Sequence, residues 1–358
     1  MKQLSVFGRQ SPASQDPPRR RGRWRQRVGI VLALLLLPTM VFFAACGGDD
    51  DDNGDDLEKV TLMLNWTPNT QHAGIYLAQA KGWYREAGID LGIIEPAQAG
   101  VEQVVATGNA QFGISVQEGV IPAREQGIPI VSIAAIMQHN DSSFFALGSD
   151  NITRPKDFEG KTYGGYGGPL EAEILNTLVQ CDGGDPSTVK HIEVGNIDYL
   201  AGMEQDRFDF VWVFEGWDAL RAREVENIPV TSVRFADHLD CIPDWYTPVI
   251  ITNESMIADR PETVRKFMEA TARGYAAAIE DSQAAADALL EAASELDREL
   301  VELSARYHTT HYVDEGRQWG LQDEATWTTF EAFLREAGLT SKEIDVQAAF
   351  TNEFLPNQ

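Results

Sequence analysis

Cysteine and histidine are scarce in this chain, with three and six copies among 358 residues. None of the histidines stands at metal-ligand spacing from a cysteine or an acid. A phosphate-binding GxxxxGK[ST] motif and a GxSxG nucleophile motif are also missing. These absences exclude the common signatures of zinc sites, nucleotide hydrolases and serine hydrolases. We therefore expect neither a metal nor a cofactor.

Basic residues are also few, because 29 lysines and arginines face 55 acids and the formal net charge is −26. Eight of the basic residues and one acid, Asp16, precede position 46. The chain from Cys46 onward therefore carries 21 basic and 54 acidic residues, a net charge of −33. Nucleic-acid affinity depends on lysine and arginine contacts with phosphate. The composition therefore argues against a nucleic-acid partner.

The basic residues cluster at the start of the chain, ahead of the uncharged apolar run Val28–Ala45. A basic region, an apolar region and small residues before a cleavage point are typical of an export signal. Small residues immediately before Cys46 resemble a bacterial lipoprotein signal, in which that cysteine receives lipid. The alternative is an uncleaved membrane anchor, since about 18 apolar residues can just span a bilayer. The export route, general secretory or twin-arginine, stays open, and either interpretation places the rest of the chain outside the cytoplasm.

Residues 46–57 are rich in aspartate and glycine. Like charges and glycine cannot bury enough apolar surface to fold, so we predict a solvated tether there rather than a metal-binding acidic run. Cys181 and Cys241 remain, and we expect two buried free thiols. A disulfide is the alternative that an extracytoplasmic compartment permits.

Short strands alternate with short helices from residue 58 onward, a pattern typical of α/β proteins. The first predicted strands are Val60–Asn65, Leu91–Glu95, Ala110–Val116 and Ile128–Ile136. The last is apolar almost throughout, which predicts a strand among parallel neighbours. We assign residues 58–146 to the N-terminal part of a first lobe.

A second α/β lobe is predicted for residues 147–244, because the alternation continues there. The apolar strand Tyr246–Asn253 would return the chain to the first lobe. The rest of residues 245–358 follows a helical pattern that begins with Pro261–Glu280. The fold class is therefore α/β, with two lobes, a hinge of two crossings and a helical C-terminal part. Such a topology suits closure on a ligand.

The first predicted strand leads into a polar loop that contains Asn65, Trp66 and His72. A flat heteroaromatic ring could stack on Trp66, and His72 could hydrogen-bond a ring nitrogen. The alternatives are a core tryptophan that caps the sheet edge and a histidine that only satisfies loop backbone. We count all three residues as candidate ligand contacts.

Ser115 and Gln117 follow a predicted strand, where open α/β sheets bind ligands at the carboxyl ends of their strands. Their side chains are neutral donors and acceptors. We count both as candidate ligand contacts, with a solvent-exposed turn as the alternative.

A glycine-rich loop with Tyr163, Gly164 and Gly167 precedes a helix that starts at Pro169. Glycines allow the backbone to approach a ligand, and a helix N-terminus often holds an anion. Glu171, however, places negative charge in the first helical turn. We therefore predict a site for amino or amide donors, with a surface glutamate that complements the helix dipole as the alternative.

Glu215 and Trp217 follow another strand of the second lobe and are predicted to face the cleft. A carboxylate beside an indole suits an aminopyrimidine and would equally suit ribityl hydroxyls. The alternative for this pair is a hydrogen bond between the lobes. Tyr246 lies at a crossing, where lobe closure could press it on the ligand or where it could pack in the hinge.

Five stretches of the chain share one resemblance. They are LNWTPNTQHAGIYLAQAKGWYREAGIDLGIIEP, FEGKTYGGYGGPLEAEIL, DFVWVFEGW, DWYTPVIITNESMI and FTNEFL. Together they resemble the NMT1/THI5-like family from Val60 to Leu355. The resemblance implies a periplasmic-binding-protein-like fold of type II. It also implies a solute-binding protein of an ABC importer, similar to binding proteins for formylaminopyrimidine or riboflavin.

The same family contains fungal enzymes that make the thiamine pyrimidine phosphate. The resemblance places Ser115 at the position of their pyridoxal-phosphate lysine and Gly119 at that of a histidine. Their CCCFC motif corresponds to residues 243–247, which contain no cysteine. Since a Schiff base requires the lysine amine, the resemblance argues against this enzyme activity.

We therefore expect a monomeric, lipid-anchored binding protein on the extracytoplasmic face of the membrane, with importer permease and ATPase subunits as partners. A thiamine-precursor pyrimidine is the first ligand that the resemblance implies, and riboflavin is the second. Glu171 and Glu215 argue against a sulfonate or nitrate.

Overall fold

The computed structural model describes residues 57–96, 100–195 and 197–356. The predicted export signal, Cys46 and the acidic run up to Asp56 lie outside these residues. No helix in the described part of the chain combines the length and apolarity needed to cross a bilayer.

The described residues form ten strands, and most predicted strands overlap them. In chain order they are β1 (Glu58–Met63), β2 (Ile89–Ile94), β3 (Phe112–Ser115), β4 (Ile130–Ala135), β5 (Ser142–Leu147), β6 (Thr162–Gly165), β7 (Lys190–Glu193), β8 (Phe210–Phe214), β9 (Val230–Arg234) and β10 (Val249–Asn253).

The same residues form twelve α-helices. They are α1 (Ala73–Ala80), α2 (Trp83–Glu86), α3 (Val101–Ala106), α4 (Gln117–Glu125), α5 (Pro169–Cys181), α6 (Tyr199–Glu204), α7 (Glu254–Asp259), α8 (Pro261–Glu280), α9 (Ser282–Ala292), α10 (Arg298–His308), α11 (Glu324–Glu336) and α12 (Val346–Ala349). Two further segments, Glu215–Ala219 and Arg221–Val225, are π-helical.

The strands make two five-stranded sheets. The first has the order β2-β1-β3-β10-β4, and the second has the order β7-β6-β8-β5-β9. The chain passes from the first sheet to the second between β4 and β5, and it returns between β9 and β10. These two passages and the helices after β10 agree with the predicted fold class.

The pairing of β5 locates the start of the second sheet. β5 pairs with β8 and β9 along its whole length, so the second sheet begins at Ser142, ahead of the predicted lobe boundary at Leu147.

The prediction of parallel neighbours for the strand Ile128–Ile136 is wrong. β4 pairs with β10, which runs antiparallel to it, and β4 lies at the edge of the first sheet. Its edge is nevertheless covered, because isolated bridges join Ser132 to Phe350 and Ala135 to Gly320. This cover explains why an edge strand is apolar almost throughout.

The helical part after β10 packs on the first sheet through an amphipathic helix. Proline at the first position of α8 is preorganised for a helix start, and Val264, Phe267 and Tyr275 lie on its buried face. α8 crosses α1 so closely that a Cβ on Gly274 would clash with the carbonyl oxygen of Gly74. Only glycine at this position permits that crossing.

The expectation of free thiols is also wrong, because Cys181 and Cys241 form a disulfide. Cys181 ends α5 and Cys241 lies between β9 and β10, at a sequence separation of 60. Cys181 is exposed rather than buried. Sequence patterns do not reveal this proximity, because it depends on how α5 folds back on the segment that leaves the second sheet.

Candidate functional site

A cavity of about 740 Å³ is lined by residues that follow strands of both sheets. Its volume lies within the range of pockets that hold small molecules, about 300–1,000 Å³. The polar and aromatic side chains that line it belong to Asn65, Trp66, Asn69, Thr70, Gln71, Glu118, Phe145, Tyr166, Glu171, Asp198, Tyr199, Trp212, Phe214, Trp217, Asp218, Arg221, Thr247 and His308.

Trp66 stands at the mouth of this cavity, on the loop after β1. Its side chain is 42% exposed and meets the ring of Tyr166 edge to face, with 6.4 Å between the ring centroids. Tyr166 belongs to the glycine-rich loop after β6, so the two rings approach each other from the two sheets. The exposure contradicts the alternative of a core tryptophan, and stacking of a ligand on Trp66 stays a prediction.

His72 does not line the cavity but orients Asn65, which does. The His72 ring is buried, and its Nδ1 accepts the backbone N–H of Asn69 at 3.4 Å. Nε2 therefore carries the hydrogen and donates to the amide oxygen of Asn65 at 3.0 Å. Burial lowers the pKa of His72 to about 3, so the ring is neutral near pH 7. The arrangement leaves the Asn65 amide nitrogen as the donor available to a ligand.

Ser115 and Gln117 lie outside the cavity lining, contrary to their predicted role. Ser115 is buried and donates its hydroxyl hydrogen to the carboxylate of Glu102. Gln117 is buried and accepts the backbone N–H of Tyr246 at 2.8 Å. The carboxyl end of β3 does reach the cavity, but it does so through Val116 and Glu118.

The glycine-rich loop after β6 is occupied by a carboxylate of its own chain. Glu171 accepts the backbone N–H groups of Tyr166, Gly167 and Gly168 at 3.0, 3.1 and 3.3 Å. These donors are the ones that an anion would use at the start of α5. Glu171 lines the cavity as predicted, yet its main contacts are to this loop.

Tyr163 and Gly164 pack beneath that loop and do not line the cavity. The Tyr163 ring is buried 5.5 Å from that of Phe144, centroid to centroid. A Cβ on Gly164 would lie 2.6 Å from the Phe208 ring, so this glycine serves packing. Gly167 has φ +82°, which lets the loop turn and present its N–H to Glu171.

Glu215 does not face the cavity, and its predicted orientation is corrected. The carboxylate is buried, accepts the Ser143 hydroxyl at 2.6 Å and pairs with Arg223 at 2.5 Å. All three residues belong to the second-sheet region, so the contact does not join the two sheets. Trp217, two residues further on, does line the cavity.

Tyr246 is buried and lies outside the lining. Its hydroxyl accepts the backbone N–H of Asp323 at 2.9 Å. The neighbouring Trp245 stacks on Phe330 with 4.8 Å between centroids. These contacts favour the packing alternative for the crossing between β9 and β10.

Glu118 is a lining residue that the sequence patterns do not single out. It stands in the first turn of α4, and its Oε2 is buried and accepts no hydrogen bond from any residue that the structure describes. Burial raises the pKa of Glu118 to about 7, an effect that its own backbone N–H and the nearby Trp245 indole partly offset. Its position one residue beyond Gln117, at the carboxyl end of β3, was the available signal.

His308, at the end of α10, is a second lining residue missed from sequence. Its side chain is 1% exposed, and Nδ1 donates to the carbonyl oxygen of Ser304 at 2.8 Å. Burial lowers the pKa of His308 to about 4, so Nε2 is an acceptor near pH 7. Within the described residues this Nε2 has no hydrogen-bond partner.

Negative charge dominates the lining. Its carboxylates belong to Glu118, Glu171, Asp198 and Asp218, and burial raises the pKa of Asp218 to about 6. Arg221 is the only arginine or lysine among the described lining residues, and it pairs with Asp198 at 3.1 Å and with Glu226 at 2.6 Å. The cavity is therefore chemically suited to hydrogen-bond donors and positive charge rather than to anions.

The sequence of this chain is similar to a known protein family. The family model described as NMT1/THI5 like matches residues 69–285. The chain is 30% identical to the riboflavin-binding protein RibY of Chloroflexus aurantiacus, over 84% of this chain and 87% of that protein. It is 27% identical to the formylaminopyrimidine-binding protein of Halalkalibacterium halodurans, over 83% of this chain and 90% of that protein.

An enzyme is among the relatives as well. The 4-amino-5-hydroxymethyl-2-methylpyrimidine phosphate synthase of Legionella pneumophila is 26% identical, over 84% of this chain and 93% of the enzyme. Among solved structures, the alkanesulfonate-binding protein SsuA of Xanthomonas axonopodis pv. citri gives a TM-score of 0.62 at 11% identity, covering 82% of this chain and 98% of that one. This last likeness concerns the fold alone.

Proposed function

The chain belongs to the NMT1/THI5-like family, and we propose that it is the extracytoplasmic solute-binding component of an ABC importer. Its cargo, meaning the transported ligand, is a flat and nitrogen-rich ring, and the first candidate is a thiamine-precursor pyrimidine. Cys46 anchors the protein to the membrane by lipid, and the protein acts as a monomer.

The main support for this class of cargo is that the N-terminus of α5 is already occupied by a carboxylate of the chain. Because Glu171 takes up three backbone N–H groups of the loop, a sulfonate, nitrate or phosphate would have to displace a carboxylate. The remaining lining carboxylates would also repel such an anion, since they act at short range in a partly enclosed space. Aromatic rings on both sides, such as Trp66 and Trp217, favour a flat ring instead.

The lack of an amine at Ser115 supports binding rather than synthesis. The resemblance to the family's enzymes places their cofactor lysine at this position. Here the hydroxyl is buried and donates to Glu102, so the position offers no nucleophilic nitrogen.

Riboflavin is the second candidate, because RibY is a relative at 30% identity. Either cargo would lie beside Trp66 and Tyr166, whose rings already meet edge to face at the mouth of the cavity. The two candidates differ in the hydrogen-bonding pattern of the ring edge, so direct binding decides between them.

Thermal denaturation with formylaminopyrimidine, riboflavin, thiamine and taurine tests the proposal. A ligand at 100 times its dissociation constant adds about 2.7 kcal/mol to the free energy of unfolding. We expect a shift with formylaminopyrimidine and none with taurine. Stabilisation by taurine alone would contradict the cargo class. Release of a Cys46→Ser variant from the membrane fraction tests the lipid anchor.

A further inference from the structure

Glu118 presents an unusual oxygen atom to the cavity. Buried carboxylate oxygens normally accept hydrogen bonds, and one that does not calls for an explanation. Oε2 of Glu118 is buried in the cavity wall and accepts none from the described residues, although the indole N–H of Trp245, which also has no partner among them, lies near enough to lower the Glu118 pKa. By contrast, Glu171 in the same cavity has three backbone donors. The acceptor that is left over at Glu118 is available to a ligand.

A second acceptor in the lining of the same cavity also lacks a donor. Nε2 of His308 carries no hydrogen when Nδ1 donates to Ser304, and the side chain is 1% exposed. Two buried acceptors without donors on one cavity call for a ligand that supplies N–H or O–H groups. Anions supply none, which agrees with the charge of the lining.

Resting on the proposed function, we propose that Glu118 determines specificity by pairing with an amidine-type edge of the cargo. Such an edge has an amino group next to a ring nitrogen, as in a 4-aminopyrimidine. The amino group donates to one oxygen of the carboxyl group, and the other oxygen shares a proton with the ring nitrogen. A flavin edge has one N–H between two carbonyl oxygens, so one of them would face a carboxylate oxygen without a hydrogen.

The pair holds one proton, whichever partner carries it. When Glu118 is ionised and the ring is neutral, binding must take up a proton from solvent. When Glu118 already carries the proton, none is exchanged. Affinity for an aminopyrimidine therefore falls as the pH rises through the range in which free Glu118 loses its proton, and the fall approaches about tenfold per pH unit.

Other charged groups near Glu118 do not produce the same profile. Glu102 raises the Glu118 pKa slightly by repulsion, and the Trp245 indole lowers it. Asp218 is ionised above about pH 6, and neutral His308 gains its proton only near pH 4. Asp198 and Arg221 pair with each other. Among these groups, the proton that changes between pH 7 and 9 is that of Glu118.

The test measures dissociation constants of formylaminopyrimidine and riboflavin at pH 7 and pH 9 by calorimetry, for the wild type, Glu118→Gln and Glu118→Leu. A glutamine amide donates to the ring nitrogen and accepts from the amino group without any shared proton. We expect Glu118→Gln to bind formylaminopyrimidine with the same affinity at both pH values. It should also move the preference toward riboflavin by about tenfold, because its N–H matches a flavin carbonyl. Glu118→Leu should weaken formylaminopyrimidine binding about 10- to 100-fold.

Glu125→Gln is the matched control. Glu125 ends the same helix, but its carboxylate is exposed and bonds Ser341, so the variant should behave as the wild type. Two results would overturn the role of Glu118 and leave the importer proposal standing. One is a wild-type affinity for formylaminopyrimidine that does not change with pH. The other is a Glu118→Leu variant that binds formylaminopyrimidine as tightly as the wild type. Binding of riboflavin but not of formylaminopyrimidine would also overturn it. Binding of neither would overturn the proposed cargo class and this inference together.

Discussion

Two helices begin at the cavity with a glutamate in the first turn, and the two glutamates differ in their surroundings. Glu171 of α5 is held by three backbone N–H groups of the loop before it. Glu118 of α4 has a buried oxygen that none of the described residues contacts as a donor. The same residue type in the first helical turn is thus a cap in one case and a free acceptor in the other. Helical position and loop geometry decide between them. Glu171 is the third residue of α5, and the loop before it turns three N–H groups toward its carboxylate, whereas Glu118 is the second residue of α4.

The two helices also differ in a covalent link, and removing that link should have the largest effect on stability. α5 is tied by the Cys181–Cys241 disulfide, and α4 has no such link. A loop of 60 residues constrains the unfolded chain strongly, so replacing both cysteines by serine should lower the free energy of unfolding by about 4 kcal/mol. Urea denaturation measures this change. Equal midpoints for the variant and the wild type would mean that the link does not stabilise the second lobe.

Glu118→Gln should stabilise the unliganded protein in a pH-dependent manner. The pKa of this carboxyl group rises from 4.5 to about 7 on folding. Below pH 4.5 the group is protonated in both states and leaves the free energy of unfolding unchanged. As the pH rises toward 7 and above, ionisation favours the unfolded state and lowers that free energy. Removing that group should therefore add up to about 3 kcal/mol at pH 8 and nothing at pH 4. Urea denaturation of both proteins at the two pH values checks the sign. A gain of the same size at both pH values would contradict the cause.

Glu171→Gln should change the free energy of unfolding in the opposite direction. The variant loses a charged acceptor that three N–H groups share, so the free energy of unfolding should fall by about 2 kcal/mol at pH 7. Glu173→Gln on the same helix is the control. Among the described residues Glu173 bonds only the Thr177 hydroxyl, so this variant should change stability by less than about 0.5 kcal/mol. A stable Glu171→Gln protein that binds taurine would mean that the loop is an anion site kept closed by its own carboxylate.

Trp66→Ala should have the smallest effect on the fold and a moderate one on binding. The side chain is 42% exposed, so stability should change little. Loss of one stacking contact should weaken binding of formylaminopyrimidine by about 0.5–1.5 kcal/mol, which calorimetry resolves. Unchanged affinity would place the cargo away from the mouth of the cavity, and an unfolded variant would assign Trp66 to the core.

The fold could be predicted well because strand and helix periodicity is local. α8 begins and ends at the predicted residues, and most strands were located within a few positions. The neighbours of β4 and the pairing of Cys181 could not be predicted, since both depend on segments far away in sequence.

The site was predicted in part for a similar reason. Strand ends identify which segments reach the cavity, and Asn65, Trp66, Glu171 and Trp217 do line it. Ser115, Gln117 and Glu215 come from the right segments, but their side chains turn toward partners inside the protein. Spacing along a chain does not reveal which of two adjacent side chains at the start of a helix points outward. Glu118 was missed for that reason.

Calorimetric titration of the wild type with formylaminopyrimidine at pH 8, in two buffers of different ionisation enthalpy, tests the central claim most directly. The difference between the two apparent enthalpies gives the number of protons that binding takes up. Our account predicts binding with an uptake of about one proton, because Glu118 is mostly ionised before binding and shares a proton afterwards. Absence of binding, or binding without proton uptake, would contradict it.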